Sequence, residues 1–170
     1  MPADLALIGT GYWGRNLARN FLKLGALRTL CDASPETLAS LGPEYDGLVK
    51  TLKVDEVLSD PAVAKVVIAA PAVQHYSLAR VALAAGKDVL VEKPLCLDVA
   101  QAWDLIAAAK TGGRILMVGH LLQYHPCIRR LQELGAAGEF GRLHTVTSTR
   151  LNLGKIRREE NALWSFAPHD

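Results

Sequence analysis

The sequence predicts an α/β fold built on a doubly wound parallel sheet, and three observations carry that expectation. Short apolar runs alternate with amphipathic segments from Leu5 to Val118. Glycines punctuate the joins, at Gly25, Gly86 and the pair Gly112-Gly113. The first apolar run also opens directly into Gly9-Thr10-Gly11-Tyr12-Trp13-Gly14, a G-x-G-x-x-G turn. Strands that alternate with helices pair in parallel, because each helix carries the chain back to the end of the sheet where the last strand began. The right-handed crossover rule leaves few other arrangements.

Each element follows from local chemistry. Leu5 to Ile8 reads as the first strand, and a helix follows from about Trp13 to Leu24, with Trp13, Leu17, Phe21 and Leu24 on one face and Gly25 closing it. Leu27 to Cys31 is the second strand, and Pro35 suits the first turn of the next helix. A short segment from Val54 to Leu58 stops at Ser59-Asp60-Pro61. Val63 to Ala69 is a largely β-branched run, as a strand covered on both faces requires. The helix Val73 to Ala85, the strand Asp88 to Val91, the helix Asp98 to Lys110 and the strand Ile115 to Val118 complete the series. On the last helix Val99, Ala102, Trp103 and Ile106 share a face. A Rossmann domain over residues 1–119 is the result.

The pattern changes after Gly119. Pro126 to Leu134 reads as one amphipathic helix broken at Gly135 and Gly138, and Leu143 to Leu153 alternates like a long strand. Such a strand needs a sheet to join, and the chain offers no further strands. Residues 120–170 are therefore expected to be an incomplete start of an α+β domain, with the open strand available for homo-oligomerisation or another chain.

The glycine turn points to a dinucleotide. Gly9 permits the tight turn, Gly11 lets the backbone approach a pyrophosphate, and Gly14 lets the helix pack close to the strand. Thr10, Tyr12 and Trp13 lie within the same turn, and the positive end of the helix faces the phosphates. Asp32 falls at the end of the second strand, about 20 residues after Gly11, where an acidic residue accepts hydrogen bonds from the adenosine ribose. It repels a 2′-phosphate, and Ala33-Ser34-Pro35 supplies no arginine to attract one, so the expected cofactor is NAD. A cap for the helix near Pro35 is a compatible role for Asp32.

Composition removes other classes of function. In 170 residues, half are apolar, 21% are charged and the formal net charge is +2, which gives no electrostatic footprint for nucleic acid. Nothing resembles a signal peptide or a membrane span, so a cytoplasmic protein is expected. Cys31, Cys96 and Cys127 are few, odd in number and widely spaced, with no zinc-like pattern, and no metal is expected. His120, His125 and His144 fit no ligand spacing either.

In an open parallel sheet, ligands bind beyond the carboxyl ends of the strands. Two further segments fall there. Ala70-Pro71 follows one strand, with Gln74 and His75 at the start of the next helix, and Glu92-Lys93-Pro94 follows another. Pro94 biases Lys93 towards an extended backbone. A partly desolvated lysine amine there can exchange a proton with a substrate hydroxyl. A solvated lysine or a structural Glu–Lys pair is the bland alternative.

These segments, with the run Ala84-Ala85-Gly86-Lys87-Asp88-Val89-Leu90-Val91-Glu92-Lys93-Pro94, resemble the glucose-fructose oxidoreductase/inositol dehydrogenase/rhizopine-catabolism (Gfo/Idh/MocA) family over essentially the whole chain. Gly119 to Pro126 and Arg150 to Asn161 look closer to one branch, the sugar-nucleotide 3-dehydrogenases of the WlbA/WbpB kind, which oxidise UDP-N-acetylglucosaminuronic acid. The resemblance implies hydride transfer from C3 of the sugar to NAD. Lys93 matches the family lysine that polarises the reacting hydroxyl or receives its proton, and His169 matches the family's active-site histidine. Ser165 stands where the family often has aspartate, and Gln123 replaces a common arginine on the cofactor side.

Arg150, Asn152, Lys155 and Arg157 lie in the run shared with that branch, and the basic members suit the diphosphate or uronate of a sugar nucleotide. A solvated loop balanced by Glu159 and Glu160 is the other reading. Family members continue beyond Pro168-His169-Asp170 into a large open sheet. Two functions are therefore carried forward: an NAD-dependent sugar-nucleotide dehydrogenase, and an NAD-binding module with little turnover, completed by an oligomer or partner chain.

Overall fold

The computed structural model describes residues 3–149 and divides the chain into two compact units, Met1–Val118 and Gly119–Asp170. The first holds a six-stranded, all-parallel sheet formed by β1 (Leu5–Ile8), β2 (Leu27–Cys31), β3 (Val49–Thr51), β4 (Lys65–Ile68), β5 (Asp88–Val91) and β6 (Leu116–Val118). Their spatial order is β3-β2-β1-β4-β5-β6. The helices α1 (Tyr12–Lys23), α2 (Pro35–Ala39), α3 (Val54–Ser59), α4 (Ala72–Ala84) and α5 (Val99–Gly112) connect them. Chain order reverses between β1 and β4, the topological switch point at which this class of sheet binds ligands.

Alternation along the central strands divides the interior into two layers. Leu5 and Leu7 of β1 point into a cluster with Ala18 of α1, Leu38 of α2 and Tyr45. Ala6 and Ile8 point the other way, into a cluster with Val57 of α3, Ala79, Ala82 and Leu83 of α4, and Leu105 and Ala109 of α5. Both faces of β1 and β4 are thus covered, which is why their sequences are continuous apolar runs rather than alternating ones.

Three local expectations are corrected. β3 was not expected, because only three residues pair and two of them, Val49 and Lys50, are exposed at the sheet edge. On α5, Val99, Trp103 and Ile106 are 71%, 66% and 45% exposed, while Leu105 and Ala109 are buried. That helix is apolar nearly all round, so periodicity offers more than one face and packing selects among them. On α1 the buried residues are Gly14 and Ala18, with Leu17 and Phe21 packed partly against the core, and Trp13 and Leu24 lie outside. Small side chains one turn apart let the helix approach the sheet.

The polar core residue Lys87 belongs to the opposite end of the sheet from the strand carboxyl ends. Its Nζ donates to the carbonyl oxygens of Asp60 (2.9 Å) and Val63 (2.6 Å), tying together the chain segments that enter β4 and β5.

In the second unit a 3-10 turn, Leu121–Tyr124, precedes α6 (Pro126–Ala136). His125 caps α6, its Nδ1 accepting from the Cys127 N–H at 3.2 Å. Gly135 lies inside the helix instead of breaking it. Residues 143–149 form no strand, and 150–153 lie outside the described residues, so the expected Leu143 to Leu153 strand and its oligomer edge have no counterpart among the described residues. Alternating polarity makes a strand only where a hydrogen-bonding partner edge is supplied. No helix among the described residues is long and apolar enough to cross a membrane.

Leu7 on the central strand is fully buried, whereas Trp103 stands on the outer face of α5. Leu7→Ala should cost about 2–5 kcal/mol in urea-induced unfolding, and Trp103→Ala should stay within about 0.5 kcal/mol of the parent.

Candidate cofactor and active site

The pairing register places the last residues of all six strands in one row. Thr51, Cys31, Ile8, Ile68, Val91 and Val118 are successive partners across the sheet. The residues just past the row are still held by the ladder. Gly9 N–H donates to Cys31 O (2.8 Å), Asp32 N–H to Thr51 O (3.2 Å), Ala69 N–H to Ile8 O (2.8 Å) and Glu92 N–H to Ile68 O (2.9 Å). Backbone bonding therefore brings the glycine turn, Asp32, the Ala70-Pro71 turn and the Glu92-Lys93-Pro94 turn to a common level at one edge.

The three motif glycines have separable roles. Gly9 has φ +92°, and a Cβ there would sit 2.7 Å from the carbonyl carbon and oxygen of Ala69 and the nitrogen of Ala70. At Gly14 a Cβ would fall on the carbonyl oxygen of Gly9, inside the helix–strand contact. At Gly11 a Cβ would meet nothing within 4 Å. Gly9 and Gly14 are required by the protein's own packing. Gly11 is exposed with open space beside it, as the middle glycine of a dinucleotide fingerprint needs if the backbone is to approach a pyrophosphate.

The helix ends at the switch point are open as well. Gly11 stands at the N-cap of α1 and Pro71 at that of α4, and neither helix has a side-chain cap. By contrast, Ser34 caps α2 and Asp98 caps α5. The first turn of α1 carries no acidic residue, so its dipole is left to attract an external anion.

Asp32 is half-buried and ties the turn together. Its Oδ2 accepts from the backbone N–H of Thr10 (2.6 Å) and from Thr10 Oγ1 (2.9 Å), and its Oδ1 accepts from Ser34 N–H (3.0 Å). The capping role for the next helix falls to Ser34, whose Oγ accepts from Thr37 N–H (3.0 Å), and not to Asp32. An ionised carboxylate has about four acceptor sites, so capacity remains for a ribose hydroxyl. Thr10 is wholly buried and acts through Asp32. Beside it, burial and the neighbouring Asp32 and Glu56 carboxylates raise the Cys31 thiol to about 11, which keeps it neutral in the folded protein.

Two contacts shape the lysine turn. The indole Nε1 of Trp13 donates to Glu92 Oε1 at 2.7 Å, joining the start of α1 to the turn beyond β5. This is why Trp13 is not in the core: its ring lies at the surface and its nitrogen serves Glu92. Glu92 Oε2 accepts from the backbone N–H of Lys93 at 3.3 Å. Lys93 is half-buried, Pro94 is buried, and the peptide between them is cis. His75, expected beside the cofactor, is 1% exposed with both ring nitrogens against backbone carbonyls.

The cofactor candidates thus separate into surface and support. Gly11, Tyr12 and Pro71 are exposed at the edge, Ala70, Glu92 and Lys93 are half-buried there, and Thr10, Gly14 and His75 lie beneath. Gln123 is exposed in the 3-10 turn of the second unit. His169 and the expected substrate residues Arg150, Asn152, Lys155 and Arg157 lie outside the described residues. An open groove of about 400 Å³ between α4 and α5, lined by Arg80 and Asp104 among others, is a helix-surface feature separate from this edge.

Residues 4–120 match the model of the GFO_IDH_MocA oxidoreductase family, NAD-binding Rossmann fold. The chain belongs to the Gfo/Idh/MocA family. It is 33% identical over 129 residues to a UDP-N-acetylglucosamine 3-dehydrogenase of Acidithiobacillus ferrooxidans, a match covering 76% of this chain and 40% of that protein. The solved structure of that organism's enzyme GnnA gives a TM-score of 0.70 at 32% identity, over 77% of this chain and 42% of the other. GenD2 from gentamicin A biosynthesis, solved in complex with NAD, gives 0.74 at 35% identity, over 81% of this chain and 40% of that one. The chain spans about two fifths of the length of these relatives. Residues 4–120 are accordingly an NAD-binding Rossmann domain.

Two outcomes follow from this geometry. Gly11→Ala should leave the melting temperature close to the parent's while weakening NAD by about tenfold or more in calorimetric titration, because the new methyl occupies only ligand space. Gly14→Ala should instead lower stability itself, by about 1–3 kcal/mol for an overpacked contact. The raised thiol of Cys31 sets a pH window as well. Its contribution to stability is complete below the unfolded thiol's value near 9 and is lost as pH climbs towards about 11, because only the unfolded chain ionises in between. Urea titrations across that window should show a steeper alkaline fall in the parent than in Cys31→Ala.

Proposed function

We propose that this family member oxidises a secondary alcohol of a sugar nucleotide, with the C3 hydroxyl of a UDP-linked N-acetylhexosamine or its uronate as the reacting group. Bound NAD supplies a hydride acceptor. The hydroxyl proton then needs a separate base, and Lys93 is the group proposed to receive it. The observation that carries this role is the placement of Lys93, half-buried on the turn directly after Glu92, whose backbone closes the row also occupied by Gly9 and Ala69. A neutral lysine amine accepts a hydroxyl proton as a general base does when it lies within hydrogen-bond reach. Support for a UDP-sugar comes from the Acidithiobacillus ferrooxidans relative, described as a UDP-N-acetylglucosamine 3-dehydrogenase. His169 is proposed as the second proton-handling group, and Arg150, Asn152, Lys155 and Arg157 as the holders of the diphosphate or uronate.

The test is calorimetric titration of the chain with NAD, followed by UDP-N-acetylglucosamine and UDP-N-acetylglucosaminuronic acid while NADH absorbance is recorded. NADH formation with either sugar is expected. Lys93→Ala should lower the rate by about 10²–10⁴-fold with NAD affinity nearly unchanged. NAD binding without sugar binding or NADH would overturn the substrate reading in favour of a cofactor-binding module.

A further inference from the structure

The family chemistry does not account for the geometry of His75. Its imidazole lies in the first turn of α4 and is 1% exposed. Nδ1 is 2.6 Å from the carbonyl oxygen of Pro94, and Nε2 is 2.8 Å from that of Ala70. One carbonyl belongs to the turn beyond β5, immediately after Lys93, and the other to the turn beyond β4. A carbonyl oxygen only accepts, so the ring serves one arm with one N–H and both arms with two.

These bonds begin where the sheet stops. β4 and β5 are in register through Ile68 and Val91, and the ladder ends with Glu92 N–H on Ile68 O. Past that point Pro94 has no N–H with which to continue it. The two turns would then be free to separate beyond the end of the ladder. His75 bridges them there, from a helix packed on the same core. On the other side of Lys93, Glu92 is held by Trp13. The residue before the lysine and the residue after it are therefore each anchored to a different helix.

We infer that His75 is a positioning residue: it makes no contact with NAD, and through Ala70 and Pro94 it sets the spacing of the two turns and the placement of Lys93. The inference rests on the reading of Lys93 as the proton acceptor only for its effect on rate; its effect on the lysine is measurable without turnover.

The experiment uses the full chain with ¹³C-labelled lysine, the Lys93 Cε resonance being assigned by its loss in Lys93→Arg. His75→Ala and His75→Gln should both move that resonance and blunt its response to NAD, with the glutamine variant, which keeps a donor, moved less. The resonances of Lys65 and Lys110 should stay in place, as should that of Lys93 in Leu105→Ala, a truncation elsewhere in the same core. If NADH is formed, His75→Gln should lower kcat by about tenfold or more with a much smaller change in the KM for NAD. A folded His75→Ala whose Lys93 signal and NAD response match the parent overturns the inference. Should neither variant fold, ¹⁵N spectra of the parent decide it: ring nitrogens with hydrogen-bonded shifts support the bridge, and a nitrogen in exchange with water overturns it. Loss of the sugar reading with the His75 dependence of the Lys93 signal intact would separate the two proposals.

Discussion

The chemistry at the edge of this sheet depends on one constraint, the common register of six parallel strands. Because the pairing runs unbroken from Thr51 through Cys31, Ile8, Ile68 and Val91 to Val118, the residues that follow the central strands emerge side by side. A slip of one residue at β5 would turn its side chains to the opposite faces and move Lys93 out of line with the glycine turn. The register is itself secured by two-sided burial, since β1 and β4 place apolar residues in both core layers and any slip would misplace them.

Beyond the row, the protein replaces ladder bonds with side-chain bonds. Asp32 accepts from Thr10 and Ser34, Trp13 donates to Glu92, and the ring nitrogens of His75 lie within hydrogen-bond distance of the Ala70 and Pro94 carbonyls. Apart from the Asp32–Ser34 bond within one turn, each contact joins one turn to a neighbouring turn or helix. Four turns that would otherwise be independent loops become a connected rim. Such support keeps a cofactor site organised before its ligand arrives, which reduces the ordering cost of binding. The motif glycines fit the same division. Two satisfy contacts within the protein, and Gly11 has only open space beside it.

Much of this was legible in the chain. The boundaries of β1, β2 and β5 follow directly from apolar runs closed by glycine or by charge, and Asp98 and Gly113 mark the ends of α5 as capping chemistry requires. What failed did so for identifiable reasons. β3 is too short and too exposed to show a pattern. Trp13 reads as a core residue by spacing, yet its ring nitrogen is used 79 positions away, at Glu92, and no local signal reports such a contact. The burial of His75 was not legible either, because sequence places it at the carboxyl end of the sheet without saying which side of the turn its ring occupies. Residues 143–149 alternate in polarity but have no partner edge among the described residues.

The sequence by itself determined the strand–helix alternation, the glycine turn with its acidic partner, and hence the dinucleotide fold and the family, because these are encoded in spacings of a few residues and in the steric needs of glycine. Only the tertiary structure decided which helix faces are buried, which motif residues are exposed at the carboxyl end of the sheet and which are buried there, and that Lys93 stands between two anchored neighbours. Those outcomes depend on the approach of segments distant in the chain, such as Trp13 with Glu92 and His75 with Pro94. Hydrogen bonds of this kind form wherever packing brings donor and acceptor together, and neither partner carries a mark of the other in its own stretch of sequence.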